Sequence, residues 1–342
     1  MINVEQLLKP ILAGLVTRQR DILVRRFGLD GKEPMTLAEL GNRYKVTRER
    51  IRQIETSLLA MVNEKIQTGP LAEMVEYVGG YLEGQGGVRR TDLLFADVNK
   101  KFEGLSLASL TFLMEASKKF DAVREDGEYF EFWHKDKNAA KKATRFHEKF
   151  YKALKENRKE VLAGKIASEV LVTLAKEEGL SPAVAENYIS LSKKFGKNVY
   201  GDFGLSEWAE IQPRTVRDQA YLVLRKSEQP THFSEITKLI NESSLGKRVA
   251  NVSTVHNELI KDQRFVLVGR GMYALSEYGY EAGTAKEVIG KILKQQGSLH
   301  PHEIIELVNQ KRFFKKNTIL LNLQNKKLFK RLPDGKYFIS EA

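Results

Sequence analysis

The stretch Val46-Thr47-Arg48-Glu49-Arg50-Ile51-Arg52-Gln53-Ile54-Glu55 decides how the N-terminal part of this chain folds. Thr47 is a favoured N-cap residue, because its hydroxyl can accept an orphan N–H of a helix that begins just after it. Apolar residues then recur at spacings of three and four, which predicts an amphipathic helix with one buried stripe. The stripe consists of Ile51, Ile54, Leu58 and Met61. The opposite face carries Arg48, Glu49, Arg52 and Gln53.

A shorter helix is predicted just upstream. Thr36-Leu37-Ala38-Glu39 is a capping box, in which the Thr hydroxyl accepts a backbone N–H and the Glu carboxylate reaches back to the cap. Leu37, Leu40 and Tyr44 would face inward, and Lys45-Val46 would form the turn to the next helix. Two helices joined by such a turn form a helix-turn-helix.

The polar face of the second helix has residue types that read DNA. In a helix-turn-helix, the N-terminal residues of the second helix reach base edges in the major groove. Arg pairs with guanine, Gln with adenine, and Glu accepts from cytosine. The residues predicted to read bases are Arg48, Glu49, Arg52 and Gln53. The alternative is an ordinary solvated helix face.

Three blocks in order, 20–29, 36–41 and 46–55, resemble region 4 of the primary bacterial sigma factors over about residues 15–65. The resemblance implies a domain that reads the −35 promoter element and docks on the flap of the RNA polymerase β subunit. Matched by position, it implies base reading by the four residues above. It implies phosphate contacts for Thr36, Leu37 and Arg50. It implies a polymerase-facing apolar surface around Leu15, Ile22, Leu23 and Phe27.

The chain departs from that family in one respect. A sigma factor also needs an aromatic, basic region that melts the −10 element and grips the polymerase clamp. Residues 1–14 leave no room for such a region, and its pattern does not occur downstream. We therefore do not expect this chain to initiate transcription as a complete sigma factor.

The rest of the chain repeats one pattern. Amphipathic helices are followed by a short hairpin around Gly, and this order predicts a winged helix. The hairpins are predicted at 120–132, 198–208, 264–275 and 328–339. We therefore predict a mostly α fold with small β wings, in which a helix-turn-helix domain precedes tandem winged helices. The predicted domains are 1–66 for the helix-turn-helix and 70–135, 140–210, 213–280 and 283–342 for the winged helices.

The third winged helix carries a second resemblance. The segments 218–224, 229–236 and 257–280 are similar to the HARE-HTH domain, which is also the N-terminal part of the RNA polymerase δ subunit. That family binds polymerase or DNA, or serves as an adaptor beside nuclease domains. The resemblance therefore also implies a role in bacterial transcription.

The charge balance favours a polyanionic partner. The chain has 56 Lys and Arg against 44 Asp and Glu, a formal net charge of +12. Nucleic acid is the expected partner of such an excess, and solubility alone is the alternative. Two runs, 139–159 and 310–331, each hold eight basic residues, against two Glu in the first and no acid in the second. Phosphate contacts in the second run are predicted for Lys315, Lys316, Lys326 and Lys327.

Catalytic and metal-binding patterns are weak. The chain has no Cys, and no Glu-x-Lys pair that a metal-dependent nuclease would need. Gly84-Gln85-Gly86-Gly87 lacks the Lys-Ser/Thr of a P-loop, so it is predicted to be a turn. His300-Pro301-His302-Glu303 is predicted to be a helix N-terminus rather than a metal site. We expect no enzyme activity, no cofactor and no metal.

Two hypotheses follow. The first is a cytoplasmic DNA-binding transcription factor that engages double-stranded promoter DNA through residues 36–62 and contacts bacterial RNA polymerase. The second is a non-catalytic polymerase-binding accessory protein, δ-like or a competitor of sigma factors, whose winged helices are protein-docking modules. No apolar run reaches 18 residues, so no membrane partner is expected.

Overall fold

The computed structural model describes residues 2–164, 166–243, 245–246, 248–280, 283–311 and 314–340. The chain divides into two compact units. The first unit is Met1–Gly196 with Phe203–Leu205, and the second is Lys197–Asp202 with Ser206–Ala342. Most elements are helices and the sheets are small, as predicted. Within the described ranges, no helix combines the length and the apolar composition needed to cross a bilayer.

The N-terminal segment forms the predicted helix-turn-helix. Its elements are β1 (Ile2–Asn3), α1 (Val4–Ala13), α2 (Thr17–Phe27), α3 (Leu37–Tyr44) and α4 (Arg48–Ile66). The predicted capping box is present, with Glu39 N donating to the Thr36 hydroxyl at 3.2 Å and Thr36 N donating to the Glu39 carboxylate at 2.7 Å. The Thr47 hydroxyl caps α4 by accepting from Arg50 N at 3.1 Å. Local capping therefore fixes where both helices begin.

The next segment is a winged helix. It consists of α5 (Pro70–Gly84), β2 (Val88–Arg90), α6 (Thr91–Val98), β3 (Phe102–Glu103), α7 (Leu107–Ser117), β4 (Asp121–Val123) and β5 (Phe132–His134). Strands β2, β5 and β4 form an antiparallel sheet in that order, with Trp133 opposite both Arg89 and Ala122. The short strand β3 pairs in parallel with β1, which ties this module to the chain's N-terminus.

The helix-turn-helix and the first winged helix share one hydrophobic core. Leu23, Phe27 and Leu58 from the N-terminal helices belong to the same buried cluster as Phe112 and Leu113 of α7. The rings of Phe27 and Phe112 meet edge to face, with centroids 5.1 Å apart. The sequence boundary near residues 66–70 separates helices but not cores.

The second module, apart from Lys197–Asp202, belongs to the same unit. It contains α8 (Lys137–Glu156), α9 (Arg158–Leu162), α10 (Ala167–Glu177), α11 (Pro182–Ser190) and the strand pair β6 (Phe195–Lys197) and β7 (Phe203–Leu205). The predicted hairpin at 198–208 is therefore displaced, because Asn198–Asp202 is the turn rather than a strand. The Asn198 carboxamide oxygen accepts from Tyr200 N and Asp202 N at 2.9 and 3.0 Å, which closes that turn.

The second unit holds two further modules of the same order. The first consists of α12 (Val216–Ser227), β8 (Thr231–His232), α13 (Phe233–Glu242), α14 (Val252–Lys261), β9 (Phe265–Gly269) and β10 (Met272–Leu275). Its sheet runs β8-β10-β9. The last consists of α15 (Ala285–Gln296), α16 (Pro301–Lys311), α17 (Lys316–Leu323), β11 (Phe329–Arg331) and β12 (Tyr337–Ile339). In both modules helices are followed by a hairpin, which is the order of a winged helix. The predicted division of the chain into five domains stays a prediction.

Candidate nucleic-acid interface

A close backbone approach sets the angle between α3 and α4. Val46 N donates to Gly41 O at 2.9 Å, and Lys45 adopts a left-handed conformation with φ 56° to make the turn. A Cβ on Gly41 would lie 2.8 Å from Val46 O, closer than real Cβ atoms approach. The turn therefore requires glycine at position 41, a requirement that the sequence reading missed.

A small core behind the helices holds α4 in place. Ile22, Leu40 and Ile51 are fully buried there. Arg26 Nε donates to the buried Glu55 carboxylate at 2.7 Å, and Arg26 Nη1 donates to Met35 O at 3.2 Å. This ion pair ties α4 to α2 and to the segment before α3. Glu55 is thus a positioning residue.

The buried stripe of α4 differs from the predicted one at its end. Val62 and Ile66 are buried, whereas Met61 is 42% exposed. The inward positions follow 51, 55, 58, 62 and 66, so the prediction that Met61 is buried is wrong. The shift in register is also what turns Glu55 inward.

The four residues predicted to read bases lie together and exposed on the first turns of α4. Arg52 Nε and Nη2 donate to the two Glu49 carboxylate oxygens at 2.8 and 2.7 Å. The hydrogen bond from Arg52 lowers the pKa of Glu49, and the Glu49 carboxylate raises the pKa of Arg52. Arg50 Nη1 donates to Gln53 Oε1 at 3.2 Å. Arg48 is exposed beside them.

The residues expected at phosphates lie at the two helix starts. Thr36 is the exposed N-cap of α3, and Leu37, the first residue of that helix, is half-buried. Hydrogen bonds from the Thr36 backbone N–H and hydroxyl lower the pKa of Glu39. Arg50 is exposed on the first turn of α4. Helix N-termini present free N–H groups and a positive dipole end, which suit a phosphate.

The apolar surface expected to face polymerase is not exposed. Leu15, Ile22, Leu23 and Phe27 are each at most 6% accessible. Leu15, Leu23 and Phe27 lie in the core shared with the first winged helix, and Ile22 lies in the core between α2, α3 and α4. The prediction that these four side chains form a free surface is wrong, because three of them lie in the core shared with the first winged helix and Ile22 packs with Leu40 and Ile51.

In both winged-helix modules of the first unit, the helix before the hairpin (α7 or α11) packs against other modules. In α7, Phe112, Leu113 and Met114 are fully buried. In α11, Asn187 donates to Gln85 O and Val88 O at 2.7 Å each, and the Tyr188 hydroxyl donates to Gly86 O at 2.9 Å. The helices that a winged helix would insert into a groove are therefore covered by neighbouring modules here.

In the second unit the corresponding helices keep an exposed face. In α14, Val252, Asn257 and Ile260 are exposed, and in α17 Asn317 and Leu321 are. The four lysines predicted at phosphates are exposed at the two ends of α17: Lys315, Lys316, Lys326 and Lys327. The basic run also includes Arg312, which lies outside the described residues.

The His300–Glu303 segment is a helix start, as predicted. Helix α16 begins at Pro301, and His300 N donates to the Glu303 carboxylate at 2.7 Å. Across the residues that the structure describes, no cluster of three or more His, Asp or Glu side chains could hold a metal ion.

The similarity to known proteins covers the helices of the helix-turn-helix domain, α2 to α4. Residues 11–60 match the family model "Sigma-70, region 4". The RNA polymerase sigma-C factor of Nostoc sp. strain PCC 7120 is 36% identical over 69 residues, 20% of this chain and 17% of that protein. SigA of the same strain is 41% identical over 68 residues, with the same coverage. SigA of Clostridium acetobutylicum is 43% identical over 72 residues, 21% of this chain and 19% of that protein.

The chain spans less than a fifth of the length of these relatives. The matched range includes all of α2 and α3 and most of α4. Residues 11–60 therefore contain a helix-turn-helix of the sigma-70 region 4 type.

Proposed function

We propose that this chain is a non-catalytic, DNA-binding transcription protein that engages promoter-type duplex DNA through α4 and also contacts bacterial RNA polymerase. One observation carries the proposal: Arg48, Glu49, Arg52 and Gln53 stand exposed together on a helix whose opposite side is locked into a core. A helix held in this way can enter the major groove without rearranging its backbone.

Recognition would work by exchange of hydrogen bonds. In the free protein, Arg52 and Glu49 satisfy each other through two charge-assisted bonds. A guanine edge offers Arg52 two acceptors, and a cytosine amino group offers Glu49 a donor. A base pair that offers acceptors to Arg52 and a donor to Glu49 replaces the hydrogen bonds between these two side chains without a net loss of hydrogen bonds. Any other base pair leaves one of the two charged side chains without a partner. The Glu49–Arg52 pair would thus act as a filter for sequence.

Contact with polymerase is supported by sequence likeness in two places. The region 4 match covers α2 to α4, and the module built on α12–α14 resembles HARE-HTH and the polymerase δ subunit. Since Leu23 and Phe27 are buried, a contact with the β flap would use side chains of this region that stay exposed, such as Val16 at 68%.

The test is the Arg52→Ala variant against selected and scrambled duplexes. Fragments bound by the full chain are first selected from a random duplex pool, which supplies the preferred site. Arg52→Ala should then weaken binding to that site by about 1–3 kcal/mol and leave binding to scrambled DNA nearly unchanged. Equal loss on both duplexes would contradict base reading.

Replacing Lys326 and Lys327 with Gln gives the contrasting result. Both side chains are exposed after α17 and away from α4 in sequence. Phosphate contacts add affinity and salt dependence without sequence reading. The double variant should weaken binding to all duplexes alike and flatten the salt dependence of the affinity.

A second candidate function has its own observation. The exposed positions around α14 include aliphatic side chains, with Val249 at 86%, Ile260 at 62% and Leu267 at 46% accessibility. Lys261 is the one cation within α14. Apolar surface suits a protein partner better than phosphates. The chain would then be a polymerase accessory protein, and capture of polymerase without any shift of random-sequence duplex would favour this reading.

A further inference from the structure

The first helix of the second module presents a long cationic face. Helix α8 holds seven Lys or Arg and two Glu in 20 residues. Its apolar side is buried within the module through Phe146, Phe150 and Leu154. The cations therefore occupy the outer side of a helix that is firmly anchored along its length.

Three of these cations stand together without a carboxylate partner. Lys141, Lys142 and Arg145 are exposed. Nowhere in the described ranges does any of the three come within salt-bridge distance of an acidic group. The charges of Lys142 and Arg145 act on Glu178, but its carboxylate is paired with Lys149, and the hydrogen bond from Lys149 is the main reason why the pKa of Glu178 is lowered.

Several other lysines of the first unit, in contrast, are paired with carboxylates. Lys193 Nζ lies 2.6 Å from the Glu125 carboxylate, and Lys194 is paired with Glu128. Lys135 is paired with Glu83. Lys141, Lys142 and Arg145 of α8 have no such carboxylate among the described residues.

Helix α11, which in a winged helix would enter the DNA groove, is not accessible to a ligand in this module. Asn187 and Tyr188 of α11 are buried against the first winged helix, as described above. A nucleic acid that meets this module would have to lie along another element. Helix α8 is long, exposed and cationic, so it is the element that fits.

The spacing of the cations suits a polyphosphate backbone. Lys137, Lys141 and Arg145 follow one another at intervals of four residues, so they lie on one side of the helix about 6 Å apart along its axis. Duplex DNA presents a dense, regular line of phosphates to such a row. Within the part of the chain that the structure describes, none of these three side chains forms a salt bridge that a phosphate would need to displace.

Two other anionic partners fit less well. A membrane-binding helix inserts an apolar face into the bilayer, but the apolar face of α8 is already buried in its own module. Single-stranded nucleic acid is bound through exposed aromatic side chains that stack on bases. The aromatic residues Phe146 and Phe150 of α8 are buried, and Tyr151 is half-buried, with the Lys194 ammonium 5.7 Å from its ring centroid.

We propose that the exposed face of α8, centred on Lys141, Lys142 and Arg145, is a second DNA-binding surface that takes the phosphate backbone of duplex DNA independently of sequence. It differs from α4 in chemistry, since it offers charge alone. It lies in the same compact unit as α4, so DNA bound here would raise the affinity for any site without changing the preferred sequence.

The test measures the salt dependence of binding by the full-length chain to a random-sequence 30-base-pair duplex. The variant is Lys141→Gln/Lys142→Gln/Arg145→Gln. Three lost phosphate contacts should reduce the slope of log Kobs against log salt by about 2–3. The affinity at low salt should fall at least about tenfold.

The matched control is Lys65→Gln/Lys100→Gln/Lys119→Gln. It removes the same charge from exposed positions of the same unit, and its slope should stay at the wild-type value. Equal slopes for the two triple variants, or an unchanged slope for the α8 variant, would overturn the proposal. The proposal would also be overturned if the α8 variant lost binding only to phosphatidylserine vesicles or only to single-stranded DNA, and not to the duplex.

A second measurement avoids substitutions altogether. Wild-type chain is acetylated with and without the duplex, and modified lysines are read by mass spectrometry. Lys141 and Lys142 should be protected by DNA, whereas Lys100 should not, and equal modification with and without DNA would refute the contact. The random duplex contains no preferred site for α4, so failure here leaves the Arg52→Ala prediction intact, and the reverse holds too.

Discussion

Gly41 shows how one residue can set the geometry of the interface. Most glycines inside helices weaken them, because they lose backbone freedom without gaining packing. Gly41 is different, since the carbonyl of Val46 occupies the space that a Cβ would need. The angle at which α4 leaves the turn, and therefore the direction in which Arg48 and Arg52 point, depends on this missing atom.

The Gly41→Ala variant should therefore be less stable by about 1–3 kcal/mol, the usual range for forcing extra volume into a tight site. Gly80→Ala is the matched control, because Gly80 lies within α5 and a Cβ there would meet nothing within 4 Å. The control should gain about 0.5–1 kcal/mol. Urea unfolding followed by circular dichroism measures both. A Gly41→Ala chain as stable as Gly80→Ala would show that the turn can open at no cost.

At the scale of elements, the sequence predicted helix starts from local signals, but it did not predict contacts between residues far apart in the chain. The caps at Thr36 and Thr47 were predictable because donor and acceptor lie within three residues of each other. The pair Arg26–Glu55 joins residues 29 apart, and the apolar periodicity of α4 did not predict that Glu55 is buried. No residue near Phe27 in the sequence indicates a contact with Phe112, so the burial of Phe27 by α7 could not be predicted.

Helix α8 provides a prediction on pH at this scale. His147 is buried on its inner side, with Nε2 2.5 Å from Tyr188 O and Nδ1 3.4 Å from the Tyr129 hydroxyl. Burial is the main cause that lowers the pKa of His147. The Tyr188 carbonyl and Glu128 act in the opposite direction, and Lys194 adds to the lowering. A group with a lowered pKa stabilises the fold fully above its unfolded value, about 6.5, and this contribution is lost as pH falls through the folded value.

The wild-type chain should therefore lose more stability than His147→Gln when the pH is lowered from 7.5 to 5. One proton limits the difference in slope to about 1.4 kcal/mol per pH unit. Urea midpoints at several pH values measure it, and comparison with the Gln variant removes the contribution of the carboxylates. Parallel pH profiles for the two chains would show that His147 titrates alike in the folded and unfolded states.

At the scale of the whole molecule, the first unit behaves as one structure assembled from several sequence modules. The strand pair β1–β3, the shared core around Phe27 and Phe112, and the bonds from Asn187 to Gln85 and Val88 join the helix-turn-helix, the first winged helix and the second. The sequence repeats led to the prediction of five domains, and that division stays a prediction. They carried no information on this fusion, because each repeat looks the same whether its outer surface is free or covered.

The fusion predicts that the helix-turn-helix depends on its neighbours for stability. A chain of residues 1–66 would uncover the sides of Phe27, Leu58 and Val62 that pack against the first winged helix, at a cost of up to about 1.5–3 kcal/mol for each large side chain exposed. A chain of residues 1–205 keeps that core. Thermal unfolding should give one cooperative transition for 1–205 and a lower, broader one for 1–66. If 1–66 unfolds at the midpoint of 1–205, the shared core does not support α4, and DNA reading by this helix would be independent of the winged helices.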